Sequence, residues 1–184
     1  IATKSKLDQI TAFQSNPQIS GFFLEQWADF STDFCGLCDE NRKSKGFDAF
    51  CKEINARSRV LVSELEHVVA PQSEVSFQLT LLNNDRFENV SVDVNLVDES
   101  GKSLTSQSLT PEEPAGKTSL TQLGICTLMV PRKVGKYEIR ISLKDNGKEV
   151  NSSVEDLIVI DQADVKNAMS KVCFLDNSEE SSDA

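Results

Sequence analysis

The chain has 184 residues, of which 39% are apolar and 26% charged, so it is long enough and apolar enough to fold as one well-buried domain with a smaller appendage. Its formal net charge of -10 disfavours nucleic acid as a partner, since binding to phosphates depends on clustered lysine and arginine. No apolar run reaches the roughly 18 to 20 residues that cross a bilayer, so we expect no direct insertion into a membrane.

Residues 1–57 carry apolar side chains at helical spacing and predict a segment of two or three helices. The first ends before Pro17, because proline has no backbone donor and restricts the residue before it. The apolar positions of the three are, in order, Leu7, Ile10 and Phe13; Phe23, Trp27, Phe30 and Phe34; and Phe47, Phe50, Cys51 and Ile54. A helix with four aromatic residues on one face must pack on its neighbours, on the following domain or on a partner.

Residues 58–161 change to a period of two, which predicts strands with one buried face. The predicted strands are 58–65, 74–82, 89–98, 103–109, 124–131, 135–143 and 154–161. The turn "DNGK" at 145–148 precedes the last strand, and its Asn-Gly pair supplies the positive φ of a tight hairpin. About seven strands in this length predict an immunoglobulin-like antiparallel β-sandwich, so that the whole chain is mainly β with an α-helical N-terminal segment.

The stretch "PRKVGKY" at 131–137 lies between two alternating strands and resembles the corner of the filamin-type immunoglobulin repeat. At such a corner a tyrosine hydroxyl bonds back to nearby backbone, which is the role expected for Tyr137. The resemblance implies a domain without catalytic chemistry that serves as a spacer, a dimerisation unit or a docking surface for a partner strand. It places the docking edge on the third and fourth strands, at Ser91, Asp93, Asn95, Ser103, Thr105 and Gln107.

The partner implied by this resemblance is another protein or a second copy of the chain, which makes a homodimer possible. Helices followed by a filamin-like repeat are also similar to tripartite-motif proteins and to adhesion-type multidomain proteins. The ordinary alternative is that the polar side chains of the edge strands are solvated faces of a sandwich, which need no functional explanation.

The motif "FCGLC" gives Cys35 and Cys38 the spacing that can bring two sulfurs to one metal ion or one disulfide. Adding Cys51 and His67 completes a possible zinc site, which is an alternative to a chain without any cofactor. A remote alternative is a thiol-disulfide oxidoreductase working through Cys35 and Cys38. The acidic residues Asp39 and Glu40 disfavour it, because negative charge raises the pKa of a thiol.

Other catalytic patterns are missing: a single histidine, His67, leaves little scope for a catalytic triad, and no glycine-rich phosphate loop occurs. The sequence therefore predicts a noncatalytic scaffolding or interaction protein. Its few cysteines favour the cytoplasm, whereas the sequons at Asn89 and Asn151 would be glycosylated in an extracellular or cell-surface protein. Residues 162–184 predict a short helix from Val165 to Cys173 and then an acidic, disordered tail.

Overall fold

The computed structural model describes residues 2–85, 87, 89–112, 120–161 and 163. Its helices and strands are α1 (Ala2–Gln14), α2 (Asp48–Ile54), β1 (Ser58–Ser63), β2 (Val68–Val69), β3 (Glu74–Asn83), β4 (Val90–Asp98), β5 (Ser103–Leu109), β6 (Leu120–Met129), β7 (Gly135–Asp145) and β8 (Lys148–Val159). The helix predicted at 165–173 and the acidic tail lie outside the described residues. No helix in the part of the chain described is long and apolar enough to span a membrane.

The strands form two sheets, one of three strands in the order β1-β3-β6 and one of five in the order β2-β8-β7-β4-β5. Neighbouring strands are antiparallel except for the two-residue strand β2, which runs parallel to β8. Two such sheets stacked on a common core make an immunoglobulin-like β-sandwich. The predicted fold class is confirmed, and β2 is the one strand that the sequence did not predict.

The core lies between the sheets and is built from every second residue of the long strands. The inward positions predicted from the alternation are all buried: Val75, Phe77, Leu79, Leu81, Val90, Val92, Val94, Leu96, Cys126, Leu128, Val130, Tyr137, Ile139, Ile141 and Leu143. This period of two is what a strand with one face in the core requires, because successive side chains point to opposite faces. Burial of these side chains is the main source of stability of the sandwich.

The two turns singled out in the sequence have the expected geometry. Asn146 and Gly147 take φ values of 49° and 77°, as the tight turn between β7 and β8 demands. Because this turn is so short, β8 starts at Lys148, six residues before the predicted Val154. At the corner, the Tyr137 hydroxyl donates to the carbonyl oxygen of Lys133 at 2.7 Å, so the predicted tyrosine corner is confirmed.

The segment from Phe23 to Phe34 is not the helix that its aromatic spacing predicts; the structure shows a series of turns and isolated bridges there. Aspartate side chains take the place of helical bonds: Asp29 accepts the Gly36 N–H at 2.9 Å, and Asp33 accepts the Cys35 N–H at 3.1 Å. Aspartate that bonds nearby backbone competes with helix formation. The prediction of a helical second element was therefore wrong.

The N-terminal segment packs on the outer face of the three-stranded sheet. Leu61 and Thr80 face each other across β1 and β3 on the side away from the core, yet both are buried. Arg59, on the same face of β1, donates from Nη2 to Thr11 and Gln14 of α1 and so ties this helix to the sheet. A second, smaller core in this segment consists of Ile10, Leu37, Phe50 and Ile54.

Candidate partner-binding surface

The most unusual surface of the molecule is a segment that we call the aromatic loop, residues 23–34. Its four aromatic side chains are far more exposed than aromatic residues usually are: Phe23 is 102% exposed, Trp27 64%, Phe30 78% and Phe34 71%. Aromatic side chains bury about 150 to 250 Å² each when they find a partner. Exposed apolar surface of this extent is uncommon on soluble proteins, which makes the aromatic loop the candidate site for contact with a partner.

A buried carboxylate fixes the middle of the aromatic loop. The side chain of Asp29 is only 8% exposed and accepts bonds from the Gly36 N–H and from Lys45 Nζ, both at 2.9 Å. Lys45 Nζ also donates to the carbonyl oxygen of Phe34 at 2.7 Å. The Asp29–Lys45 ion pair therefore connects the loop at Asp29 and Phe34 to the backbone of Gly36 just beyond it, which favours a single loop conformation.

Backbone hydrogen bonds hold two of the four aromatic positions. Cys38 N–H donates to the Trp27 carbonyl oxygen at 3.0 Å, and Asp29 N–H donates to the Cys38 carbonyl oxygen at 2.9 Å. Phe30 and Asp33 exchange two bonds, of 3.1 and 3.0 Å, across a tight turn. Trp27 and Phe30 therefore project from fixed backbone, which lowers the entropy cost of binding a partner.

The loop is anchored by apolar residues outside the predicted aromatic stripe. Leu37 is buried in the small core, and Phe22 packs against that core. Sequence reasoning missed these anchors together with Asp29, Gly36 and Lys45. The available signal was the run of aspartate, serine, threonine and glycine between the aromatic residues, since these residue types favour turns over helix.

Replacing Gly36 by alanine is expected to disrupt the aromatic loop. A Cβ atom at this position would lie 2.4 Å from the Ala28 carbonyl carbon and 2.5 Å from the Asp29 nitrogen, so the backbone must move. Overpacking of this kind costs about 1 to 3 kcal/mol. Amide hydrogen exchange should show faster exchange at Asp29 and Cys38, whose N–H groups close the loop.

Gly21 provides the matched control, because a Cβ there meets nothing within 4 Å. Its replacement by alanine should leave the exchange of Asp29 and Cys38 unchanged. Equal exchange rates of the Asp29 and Cys38 amides in the Gly21 and Gly36 variants would contradict this account. They would show that the close contact of Gly36 with the backbone of Ala28 and Asp29 does not hold the loop.

The cysteines of the described residues carry free thiols, with Cys35 exposed, Cys38 and Cys51 partly buried, and Cys126 buried. A hydrogen bond to the Asp33 carboxylate, and then its negative charge, raise the pKa of Cys35. Thiolate formation is thus disfavoured at the motif that would serve an oxidoreductase. The sequence assigned this effect to Asp39 and Glu40, whereas the structure assigns it to Asp33. The Asp39 carboxylate accepts the Lys43 N–H.

Replacing Asp33 by asparagine is expected to speed alkylation of Cys35 by iodoacetamide several-fold at pH 8, because loss of the negative charge lowers the pKa of this thiol and increases its thiolate fraction. The pH at which the rate reaches half its maximum should fall. Mass spectrometry of the modified peptide measures the rate, and Asp39→Asn is the control expected to match the wild type. A rate in Asp33→Asn equal to the wild-type rate would contradict this account of the raised pKa.

The structure does not bring the predicted zinc ligands together. Cys51 lies on α2, whereas His67 lies beside β8 with its Nδ1 atom 2.7 Å from the Asp156 carbonyl oxygen. Among the residues described, no group of three or more His, Cys, Asp or Glu side chains could hold a metal ion. Cys35 and Cys38 alone supply half of a structural zinc site.

The predicted docking edge is divided between two different environments. Strand β4 pairs with β5 on one side and with β7 on the other, so it has no free edge. Its outward residues Ser91, Asp93 and Asn95 lie on the solvent face of the five-stranded sheet, where Asp93 accepts bonds from Ser108 and Lys144. This β4 half of the prediction was wrong, because a strand paired on both sides cannot accept another.

Strand β5 does form the end of its sheet, but its register differs from the prediction. Thr105 and Gln107 pair with Leu96 and Val94 and therefore share the inner face with them. The Gln107 side chain accepts the Thr127 N–H at 3.1 Å and so connects β5 to the other sheet. Ser103, the third predicted residue of β5, is exposed at the start of the strand.

The two sequons occupy different surroundings. Asn89 is exposed just before β4, and its side-chain amide donates to the Asn146 side chain at 2.6 Å. Asn151 is half-buried on β8. Their glycosylation in an extracellular protein stays a prediction.

No protein-family model and no curated protein matches this chain. Among solved structures, it is similar to the CARDB domain of a Pyrococcus furiosus protein in complex with di-metal ions, with 15% identity and a TM-score of 0.38 over 56% of this chain and 89% of that one. A conjugative transposon lipoprotein from Bacteroides eggerthii shows 10% identity and a TM-score of 0.36 over 56% and 98% of the two chains. A Parabacteroides merdae beta-glucuronidase shows 14% identity and a TM-score of 0.39 over 56% of this chain and 14% of its own.

Structural similarity with such low sequence identity and TM-scores assigns neither a family nor a function to this chain. The class of the protein follows from its own two sheets: it is an immunoglobulin-like β-sandwich with a helical N-terminal segment.

Proposed function

We propose that this chain is a noncatalytic interaction module that docks another protein through its aromatic loop. The observation that carries the proposal is the exposure of Phe23, Trp27, Phe30 and Phe34 on a loop whose backbone is held by Asp29 and Lys45. Tryptophan and other aromatic side chains dominate the binding energy of protein interfaces, each contributing about 2 kcal/mol or more where it fills a pocket.

A different protein suits this surface better than a second copy of the chain. The net charge of -10 makes two copies repel each other, and a charge far from zero keeps proteins monomeric. The partner would present an apolar groove or pocket for Trp27 and Phe30. Self-association through the same loop, which would make a homodimer, is the alternative that the experiment below separates.

The scaffold is proposed to be of the filamin type and to act without a cofactor. The corner from Pro131 to Tyr137, with its hydroxyl bonded to Lys133, supports this assignment. The raised pKa of Cys35 supports a noncatalytic role, because a thiol-disulfide enzyme needs an accessible thiolate. In this proposal the sandwich positions the loop, and the loop provides the contact.

Trp27 is the only tryptophan of the chain, so its fluorescence reports directly on the proposed surface. The folded protein should emit close to the wavelength of its urea-unfolded form, since the indole is already mostly in water. Binding of a partner should shift the emission to shorter wavelengths. Light scattering over a range of concentrations shows at the same time whether the partner is a second copy.

Candidate partners are captured on wild-type protein and on a Trp27→Ala, Phe30→Ala double variant. The matched control is Ile125→Ala, Met129→Ala, which truncates two exposed apolar residues on β6, outside the loop. A partner that binds wild type and control, but not the loop variant, and that shifts Trp27 emission supports the proposal. Retained binding to the loop variant would refute it, and a concentration-dependent dimer abolished by Trp27→Glu would establish self-association instead.

A further inference from the structure

One edge of the five-stranded sheet is open along β8. The short strand β2 covers β8 at Ile158 and Val159, and the His67 ring lies 2.7 Å from the Asp156 carbonyl oxygen, so the open part of this edge ends at Val154. Ile158 donates its N–H to the His67 carbonyl oxygen, so the even-numbered residues of β8 from Ser152 to Ile158 direct their backbone groups to this edge. The N–H and C=O groups of Ser152 and Val154 therefore point the same way, and neither residue has a backbone partner there in the described chain.

Two consecutive grooves run beside this edge. The larger, of about 860 Å³, lies between residues 149–152 of β8 and the end of α2. The second, of about 300 Å³, continues past Ser153 and Glu155 between β8 and α1. An open strand edge with a walled groove beside it is the geometry that accepts an extended peptide as an added strand.

The grooves are acidic. Six carboxylates and three cationic side chains line them among the described residues: Asp8, Glu53, Glu64, Asp85, Glu149 and Glu155 against Lys52, Arg57 and Arg59. Two ion pairs lie within this set, Arg57 with Asp85 at 2.8 Å and Arg59 with Glu53 at 3.5 Å. Glu64 and Glu149 accept bonds from the neutral side chains of Gln78 and Ser142, which leave their negative charge in place. The excess of negative charge selects a peptide with lysine or arginine on its groove side.

The other face of the edge presents exposed apolar side chains at alternate outward positions. Val150, Val154 and Ile158 lie on the outer face of β8, are at least 36% exposed, and alternate there with Ser152 and Asp156. Val68 of β2 pairs with Ile158 and extends the apolar positions. Residues on an added strand alternate between the two faces, so every second side chain of the peptide would lie on the face that carries these valine and isoleucine side chains.

We infer that β8 is a strand-addition site for a partner protein's extended peptide in which basic side chains alternate with apolar ones. The site is separate from the aromatic loop and does not depend on it. Charge disfavours the two other occupants at hand: a second copy, because of its net charge of -10, and the chain's own C-terminal stretch, which ends in "DNSEESSDA".

The test is selection of a phage-displayed library of random ten-residue peptides on the full wild-type chain, with Val154→Pro protein as competitor. Proline at position 154 removes an N–H from the open edge without removing a bond to β7. Val154→Thr is the matched control, because it keeps the N–H and the β-branched side chain. Selected peptides should alternate lysine or arginine with apolar residues and bind Val154→Pro at least about tenfold more weakly than Val154→Thr.

A second variant and a direct readout protect the test against misfolding of Val154→Pro. Glu64→Gln, Glu149→Gln should weaken binding of the basic peptides several-fold while keeping both side-chain shapes. Amide exchange at Ser152 and Val154 should be fast in the free chain and slow with bound peptide. Trp27→Ala protein should bind the same peptides as wild type, which separates this site from the proposed function.

Several results would overturn the inference. These are no enrichment over the competitor, enrichment of acidic peptides, or binding that leaves exchange at Ser152 and Val154 unchanged. Slow exchange at these amides in the free chain would also do so. If exchange at these amides became fast on dilution, a second copy would be the occupant. If it became fast on removal of residues 164–184, the occupant would be the chain's own C-terminal stretch.

Discussion

Replacing Phe77 by alanine is expected to lower the free energy of unfolding by about 3 to 5 kcal/mol. The ring is 1% exposed and lies in the core between the two sheets, so its removal leaves a cavity as well as lost apolar contact. Urea unfolding followed by circular dichroism measures the loss, and an unchanged dependence on urea concentration would show that the unfolded state is unaffected.

Phe30 is the matched control, since the same truncation removes a ring that is 78% exposed. We expect Phe30→Ala to change the free energy of unfolding by less than about 0.5 kcal/mol. A loss comparable to that of Phe77→Ala would mean that the aromatic loop belongs to the folded core, and the proposed binding surface would then be wrong.

Replacing Arg59 by alanine is expected to cost about 2 to 3 kcal/mol and to loosen α1 from the sandwich. The Arg59 side chain is 3% exposed and bonds Thr11 and Gln14 of α1 and Glu53 of α2, so it joins both helices of the N-terminal segment to β1. Burial lowers the pKa of this guanidinium, and the charge of Glu53 opposes that shift. Urea unfolding gives the cost, and amide exchange in α1 shows whether the helix has detached.

Arg57 tests whether the burial of an arginine, and not the residue type, determines the loss of unfolding free energy when it is replaced by alanine. Its ion pair with Asp85 is exposed, with 75% of the Arg57 side chain in water, and such pairs contribute about 0 to 1 kcal/mol. Arg57→Ala should therefore have a small effect and leave exchange in α1 unchanged. Equal losses for Arg57→Ala and Arg59→Ala would contradict the assigned role of Arg59.

The sandwich could be predicted from the sequence because its strands obey a local rule. Alternation of apolar and polar residues in β3, β4 and β7 directly encodes which face is buried, and the Asn-Gly turn encodes the hairpin after β7. The position of β2 could not be predicted, because two residues carry no period and their pairing with β8 is a long-range contact.

The aromatic loop could not be predicted because helical spacing of apolar residues does not by itself select a helix. The decisive interactions are Asp29 with Gly36 and with Lys45, which are seven and sixteen residues away along the chain. Which side chains are buried then depends on the path of the backbone, so Phe22 and Leu37 became anchors while Trp27 became exposed.

The interior position of β4 and the face that the β5 side chains occupy could not be predicted for a related reason. Whether a strand ends a sheet is a property of topology, and the outward pattern of β4 looks the same with one neighbour or two. The side that Gln107 faces depends on its register with Val94, which strand propensity does not specify.

The bond from Thr127 to Gln107 has a consequence for how this protein would aggregate. Uncontrolled association of β proteins proceeds by joining of bare sheet margins, and natural sandwiches suppress it by blocking backbone donors there. The Gln107 amide removes one donor from the middle of the β6 margin. Fibrous or swapped forms of this chain should therefore avoid β6 and grow through barer margins such as the open part of β8, where a proline at position 154 should delay their appearance.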